Sequence, residues 1–161
     1  MSQQSFDVIP PAAARSMSGL DLMRGIIAGS LPQAPICKAA HFRLHEVAEG
    51  YAVFTGTPQL DFYNPIGSVH GGWIATLLDS CMSCAVHTAV PLGQAYTTLE
   101  LKVNFVRPVL EKTGPMRAEG RVIHLGGRTG TAEGKLLDAK GKLYAHGTVT
   151  CMIFLLPSAG T

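Results

Sequence analysis

The sequence predicts an α+β fold in which one antiparallel β-sheet wraps around a single central helix. The first reason is the segment 73–90, whose only formally charged side chain is Asp79 and whose apolar residues fall around nearly the whole helical circumference. A helix that is hydrophobic all round is a buried one. The second is that the chain beyond Pro91 reads as successive strands, and a sheet curled around one helix covers such a helix with very few elements. The third is composition: 47% of the 161 residues are apolar and 15% are charged, against about 25% charged in an ordinary soluble domain. At a length near the modal domain size, this implies one core, with further surface hidden in an oligomer.

Residues 1–17, with Pro10-Pro11 and an alanine run, read as a flexible leader. Ser18 followed by Asp21 is a capping signal, and Leu22, Met23, Ile26 and Ile27 form one apolar stripe before Gly29 and Pro32 end it, so a short first helix is expected over about 18–29. From 36 to 58 the pattern has strand length on both sides of Glu49-Gly50. Residues 59–69, with Asn64-Pro65 and Gly67, read as loop, and the long helix follows over about 71–90. Beyond it Leu99, Leu101, Val103 and Phe105 alternate with Glu100, Lys102 and Asn104 until Arg107-Pro108 ends the strand. Three more strands are expected over about 116–125, 128–137 and 143–154, joined by Gly126-Gly127 and by a turn at 138–141. The domain so bounded is 18–156, with 157–161 as a tail.

Charge and motifs exclude several functions. A net charge of +2 is too small for a polyanion partner, although residues 102–142 hold nine Lys or Arg against four acids, a local balance of +5 that leaves −3 for the rest. No basic and aromatic residues interleave as nucleic-acid binding requires. The longest apolar run, 151–156, is far short of the ~20 residues that span a bilayer. Four cysteines in apolar stretches, without a secretory signal, point to reduced thiols in a cytoplasm. His41 and His45 lack a zinc-binding arrangement, so no metal is expected. The Cys81 and Cys84 pair has CxxC spacing but lies two turns into the helix, away from the terminus that would stabilise a thiolate. There is no G-x-S-x-G elbow for Ser68 to serve and no Walker motif.

Asp79 carries the chemistry. A carboxylate inside an apolar helix must be hydrogen-bonded, paired, protonated or turned to a site. It shares a helix face with Thr76 and Ser83. One element upstream, NPIGSVHGG (64–72) brings glycines to the helix start. There, free N–H groups form a positive end suited to a carbonyl oxygen that becomes an oxyanion. Each feature has a bland counterpart: Asp79 tied to a nearby hydroxyl, Gly71-Gly72 as a tight turn, and His70 as a satisfied imidazole. Gly71 and Asp79 are eight residues apart, about 12 Å at ~1.5 Å per residue. They cannot serve one reacting atom within one chain. If both are catalytic, the site combines the helix start of one subunit with Asp79 of another.

The pattern Asn64-x5-His70-Gly71-Gly72-x6-Asp79, opening a hydrophobic helix between strands, resembles the signature of hot-dog-fold acyl-CoA thioesterases of the phenylacetate-degradation (PaaI-like) type. The likeness covers about 18–155 and includes VNFVRP (103–108), VIHLGGR (122–128) and MIF (152–154). The resemblance implies that the Gly71 N–H polarises the thioester carbonyl, with His70 shaping the turn and Asn64 beside the carbonyl or the attacking water. It implies that Asp79 of the partner subunit is general base or nucleophile, and that Ser83 or Thr98 supplies a hydroxyl orienting water or acid. It further implies a homodimer pairing into a homotetramer, with no metal or prosthetic group, coenzyme A being part of the substrate. Gly126, Gly127 and Arg128 are then candidates for the nucleotide or pyrophosphate, with Arg107 or Arg117 assisting. Gly72 allows close approach of the ligand, and Trp73 lies near the acyl pocket with Leu77 and Tyr63. The competing class is a non-catalytic acyl-CoA binding or sensing protein on the same fold.

Overall fold

A computed structural model describes residues 5–156. The expected tail at 157–161 and the first four residues of the expected leader lie outside the described residues. Helices α1 (Pro11–Ser16), α2 (Gly19–Ala28) and α3 (Pro35–Ala39) precede strands β1 (Phe42–Ala48) and β2 (Tyr51–Gly56). The long helix α4 (Gly71–Ala89) follows, and then β3 (Gln94–Phe105), β4 (Met116–Leu125), β5 (Thr129–Asp138) and β6 (Leu143–Leu155). The strands form one sheet in the order β1-β2-β4-β5-β6-β3, with every neighbouring pair antiparallel.

The first helices follow from their caps. Ser18 Oγ accepts from the Asp21 N–H at 3.1 Å and donates to Asp21 Oδ2 at 2.7 Å, and Gly29 closes α2 in the left-handed region with φ 77°. Residues 36–39, expected at the start of a strand, are instead helical. Pro35 at the first helical position has the right φ and no N–H to lose, and the single turn it starts buries Cys37. Pro11 starts α1 in the same way, within the stretch expected as leader.

Helix α4 occupies the inside of the curled sheet. Leu77, Leu78, Cys81, Met82, Ala85 and Val86 are fully buried, joined in the core by Ala118, Ala132, Leu136, Ala145, Val149 and Cys151 from the inner face of the sheet. The backbones approach so closely that a Cβ on Gly120 of β4 would lie 2.2 Å from the Cys81 carbonyl oxygen. On the other side, α2 crosses α4 with Gly19 against the His87 carbonyl, where a Cβ would lie at 1.9 Å.

Strand β3 is an edge, and it departs from the expected alternation. The register with β6 shifts between Thr98 and Glu100, a bulge that turns Leu99 outward while Leu101 and Val103 stay packed on the core. Leu99 is 60% exposed, Phe105 56% and Val106 45%. An unpaired edge so rich in exposed apolar side chains is built to be covered. Among the described residues, no helix is long and apolar enough to cross a membrane.

The Gly120 contact sets a stability test. Gly120→Ala forces helix and strand apart and costs roughly 1–3 kcal/mol, as overpacking does, whereas Gly127→Ala, which meets nothing within 4 Å, leaves the urea midpoint in place. Equal midpoints for the two variants would contradict the close backbone approach.

Candidate active site

The loop before α4 is built by Asn64. Its Oδ1 accepts from the N–H of Ile66 at 3.1 Å and of Ser68 at 3.3 Å, and its Nδ2 donates to Ser68 Oγ at 3.0 Å. One amide hydrogen of Asn64 is left over, so most of its capacity shapes the loop. The Val69 N–H donates to the Val109 carbonyl at 2.9 Å and the His70 N–H to the Phe62 carbonyl at 2.7 Å, which fixes the loop at the mouth of the helix.

His70 is the N-cap of α4. Its Nδ1 accepts from the Gly72 N–H at 2.8 Å, and its carbonyl accepts from the Trp73 N–H at 3.0 Å. An accepting Nδ1 puts the proton of the neutral ring on Nε2. The first turn is thereby satisfied except for Gly71, whose N–H has no acceptor among the described residues. That donor stands at the positive end of a 19-residue helix. It opens on a cleft of about 320 Å³ lined by Ser68, Val69, Gly71, Ile74, Phe105 and Arg107, among others. The Phe105 ring lies so close that a Cβ on Gly71 would be 3.1 Å from Cζ.

Asp79 is half-buried, and its Oδ1 accepts from the Thr98 hydroxyl at 3.0 Å. Of the two hydroxyl candidates, Thr98 is therefore the one in contact with the carboxylate. Ser83, one turn further, is buried. Asp79 is held by Thr98 before the bulge of β3, whereas Gly71 lies against Phe105 at the strand's far end. The structure thus keeps the two halves apart, one near each end of the same edge strand.

The remaining candidates are placed differently. Trp73 is core: its indole N–H donates to the Ala40 carbonyl at 2.7 Å and its ring stacks on Phe62 at 5.8 Å, so it supports the helix start from beneath. Tyr63 accepts from the Glu111 N–H at 2.6 Å, and Leu77 is fully buried. Gly126, Gly127 and Arg128 form the β4–β5 hairpin, with Gly126 donating to the Thr129 carbonyl at 2.8 Å and the Arg128 side chain exposed and outside any ion pair among the described residues. Cross-strand register aligns Thr98, Cys151 and Gly130, which puts this hairpin at the Asp79 end of the sheet. Arg117 is occupied by Glu46 at 2.8 Å and Glu119 at 2.6 Å, while Arg107 lines the Gly71 cleft.

With this geometry in hand, comparison with known proteins is decisive at the family level. Residues 66–145 match the family model of the thioesterase superfamily. This chain belongs to the thioesterase superfamily. It is 34% identical over 80 residues to the proofreading thioesterase EntH of Klebsiella pneumoniae, an alignment covering 50% of this chain and 57% of EntH. It is 38% identical over 69 residues to a protein of Halobacterium salinarum, covering 42% and 44% of the two chains. The chain thus spans about half the length of these curated relatives. The solved structure of a phenylacetic acid degradation-related protein from Ralstonia eutropha superposes with a TM-score of 0.73 at 26% identity, covering 81% of this chain and 98% of that one. The E. coli PaaI protein of the phenylacetic acid degradation operon gives 0.73 at 22% identity over 87% and 96%, a likeness of fold. The thioesterase-superfamily chain has the hot-dog fold, of the PaaI-like kind.

The sequence reading passed over His87 of this thioesterase-superfamily chain. It continues the four-residue spacing of Asp79 and Ser83 along α4, which is the signal that could have found it. Its ring tilts against Tyr96 at 5.0 Å, its Nδ1 is buried without a partner, and burial lowers its pKa from 6.5 to about 4. A folded pKa below the unfolded one means that the unfolded chain binds the proton first as pH falls. Stability is therefore fully present above about 6.5 and declines by roughly 3 kcal/mol towards pH 4. Replacing His87→Leu flattens this part of a urea-midpoint against pH curve; an unchanged slope would contradict a neutral buried imidazole.

Proposed function

We propose that this chain hydrolyses an acyl-CoA thioester to free acid and coenzyme A, in a site shared between two subunits. The observation that carries the proposal is the pairing of an unsatisfied Gly71 N–H at the start of α4 with a half-buried, Thr98-bonded Asp79 eight residues on. Thioester hydrolysis needs a donor for the oxygen that becomes negative and a carboxylate for water or for direct attack.

The carbonyl oxygen of the thioester accepts from the Gly71 N–H and from the field of the helix end. Thr98 occupies Oδ1 of the partner's Asp79 and leaves Oδ2 to act. As a base, Oδ2 takes a proton from water as the water oxygen bonds to the carbonyl carbon. Collapse of the adduct expels the thiolate, which regains the proton. As a nucleophile, Oδ2 bonds to the carbonyl carbon, the C–S bond breaks to release the coenzyme A thiolate, and water opens the resulting anhydride to free acid and the Asp79 carboxylate, its released proton going to the thiolate. Asn64 has one amide hydrogen to offer beside the carbonyl, and Thr98 rather than Ser83 is the hydroxyl that serves the carboxylate. Water, a carboxylate and an N–H suffice for these steps, which call on no resident metal or prosthetic group.

Symmetry supports the sharing. If β3 pairs antiparallel with its own copy about a two-fold axis, equivalence of the two copies requires some residue to face itself. A two-fold at Leu101 or Lys102 sets Thr98 of one strand opposite Asn104 or Val106 of the other, on either side of the Phe105 that covers Gly71. One axis then completes both sites and covers the exposed Leu99, Phe105 and Val106. Exposed Ile123, Met152 and Phe154 are available for dimers to pair into a tetramer. The phosphates of coenzyme A meet Arg107 and the Gly126-Gly127-Arg128 hairpin, and Gly72 admits the pantetheine arm. Four unpaired cysteines are consistent with a reducing cytoplasm.

Two variants test this. Asp79→Asn keeps acyl-CoA binding and lowers turnover at least ~10²-fold. Gly71→Pro removes the N–H at a position where proline suits a helix, after a His70 already at φ −60° and ψ 137° as a preceding residue should be. It preserves helix content and lowers kcat by about 10²–10³-fold. Undiminished turnover in either variant would refute the mechanism, and a native protein that binds acyl-CoA esters without hydrolysing them would favour the sensing role.

A further inference from the structure

A second groove, of about 1190 Å³, lies at the opposite edge of the sheet from β3, between α3 and the start of β1. It is assembled around a strained residue. His41 has φ 50° and is the one residue other than glycine with positive φ among the described residues. A left-handed backbone is costly for an L-residue and persists only where its surroundings enforce it. Here the enforcement is visible. The His41 carbonyl accepts from the Thr57 N–H at 3.2 Å, its Nδ1 pairs with Gln59 Nε2 at 3.1 Å, and its ring tilts onto Phe62 at 5.8 Å. With Nδ1 accepting from the amide, the Nε2–H is the donor the imidazole has left.

The groove carries uncompensated positive charge. Lys38 and Arg43 line it, and neither forms an ion pair among the described residues. No Asp or Glu is among its lining residues. The contrast with the adjacent strand is informative: Arg43, Thr55 and Arg117 share one cross-strand row, yet Arg117 is neutralised by Glu46 and Glu119 while Arg43 is not. Phe6 and Pro35 add apolar lining to the groove, while Phe42, also in its lining, is itself buried. Cys37 also borders the groove, but burial raises its thiol pKa to about 11, so it offers no nucleophile.

Cations, an imidazole donor and the part-exposed Phe6 ring in one concavity match a molecule with a phosphate group and a planar ring. We propose that this groove binds the phosphates and ring of a nucleotide. Its shape and charge are independent of the thioesterase reading. The same chemistry could arrive as a free nucleotide or as the nucleotide end of an acyl-CoA, and the experiment separates the two.

The test is calorimetric titration of the full chain with ADP. Saturable binding at one site per chain is expected, with affinity falling at least about tenfold in the double variant Lys38→Ala, Arg43→Ala. The conservative pair Lys38→Arg, Arg43→Lys should retain it, as should Asp79→Asn, which places the site outside the catalytic centre. If the nucleotide is free, ADP leaves the KM for acyl-CoA unchanged. If it is the end of the substrate, ADP competes with acyl-CoA, the double variant raises KM at constant kcat, and coenzyme A is held here rather than by Arg107 and the Gly126-Gly127-Arg128 hairpin. Absence of saturable ADP binding, or binding indifferent to the double variant, would overturn the proposal. Failure of native protein to hydrolyse any acyl-CoA would strike the catalytic reading alone, because the readout here is binding.

Discussion

The rigidity of α4 governs the rest of the molecule. The helix runs for 19 residues through the core, and its backbone touches that of β4 at Gly120 and that of α2 at Gly19, so it has no room to bend or slide. A donor at its first residue and a carboxylate at its ninth are therefore held about 12 Å apart, too far for one carbonyl group. A chain built this way is proposed to reach chemistry by symmetry. The apolar edge of β3 is the surface on which that symmetry is proposed to act, since it runs past both Gly71 and Asp79 and is left uncovered by its own chain.

Local choices around this helix leave the two groups proposed to react available. His70 takes up the Gly72 N–H and Asn64 the N–H groups of Ile66 and Ser68, whereas the Gly71 N–H has no acceptor among the described residues. Thr98 occupies one carboxylate oxygen and leaves the other. Trp73, pinned to the Ala40 carbonyl and stacked on Phe62, holds the first turn from below. That stack continues to His41, so the start of α4 and the basic groove share one aromatic support.

Much of this was legible from residue pattern. The length and uniform hydrophobicity of 73–90 made α4 unmistakable, and the alternation after Pro91 located all four later strands, because these signals arise from burial on one or all faces. The capping serine of α2 was equally readable. What escaped depends on tertiary context. The single turns of α1 and α3 are too short to show a period and begin at prolines that also suit loops. The bulge at Leu99 is decided by pairing with β6, and the capture of Arg117 by two glutamates depends on which strands are neighbours. Asn64 spends most of its polar atoms on its own loop, and Trp73, expected near an acyl pocket, is core bonded to Ala40, because which neighbours reach these side chains is set by the fold. The spacing of Asp79, Ser83 and His87 was present in the sequence, and only the fold showed that the last of them is an unpartnered buried imidazole.

Sharing of the site between chains is the central claim, and mixing two inactive variants tests it most directly. In a dimer of an Asp79→Asn chain with a Gly71→Pro chain, one site carries both lesions and the other carries neither. Random association of equal amounts is thus expected to restore about a quarter of native thioesterase activity, since half of the dimers are mixed and each has one intact site. Activity in the mixture no greater than that of the separate variants, with mixed dimers demonstrably formed, would show that both groups act within one chain and would contradict the account.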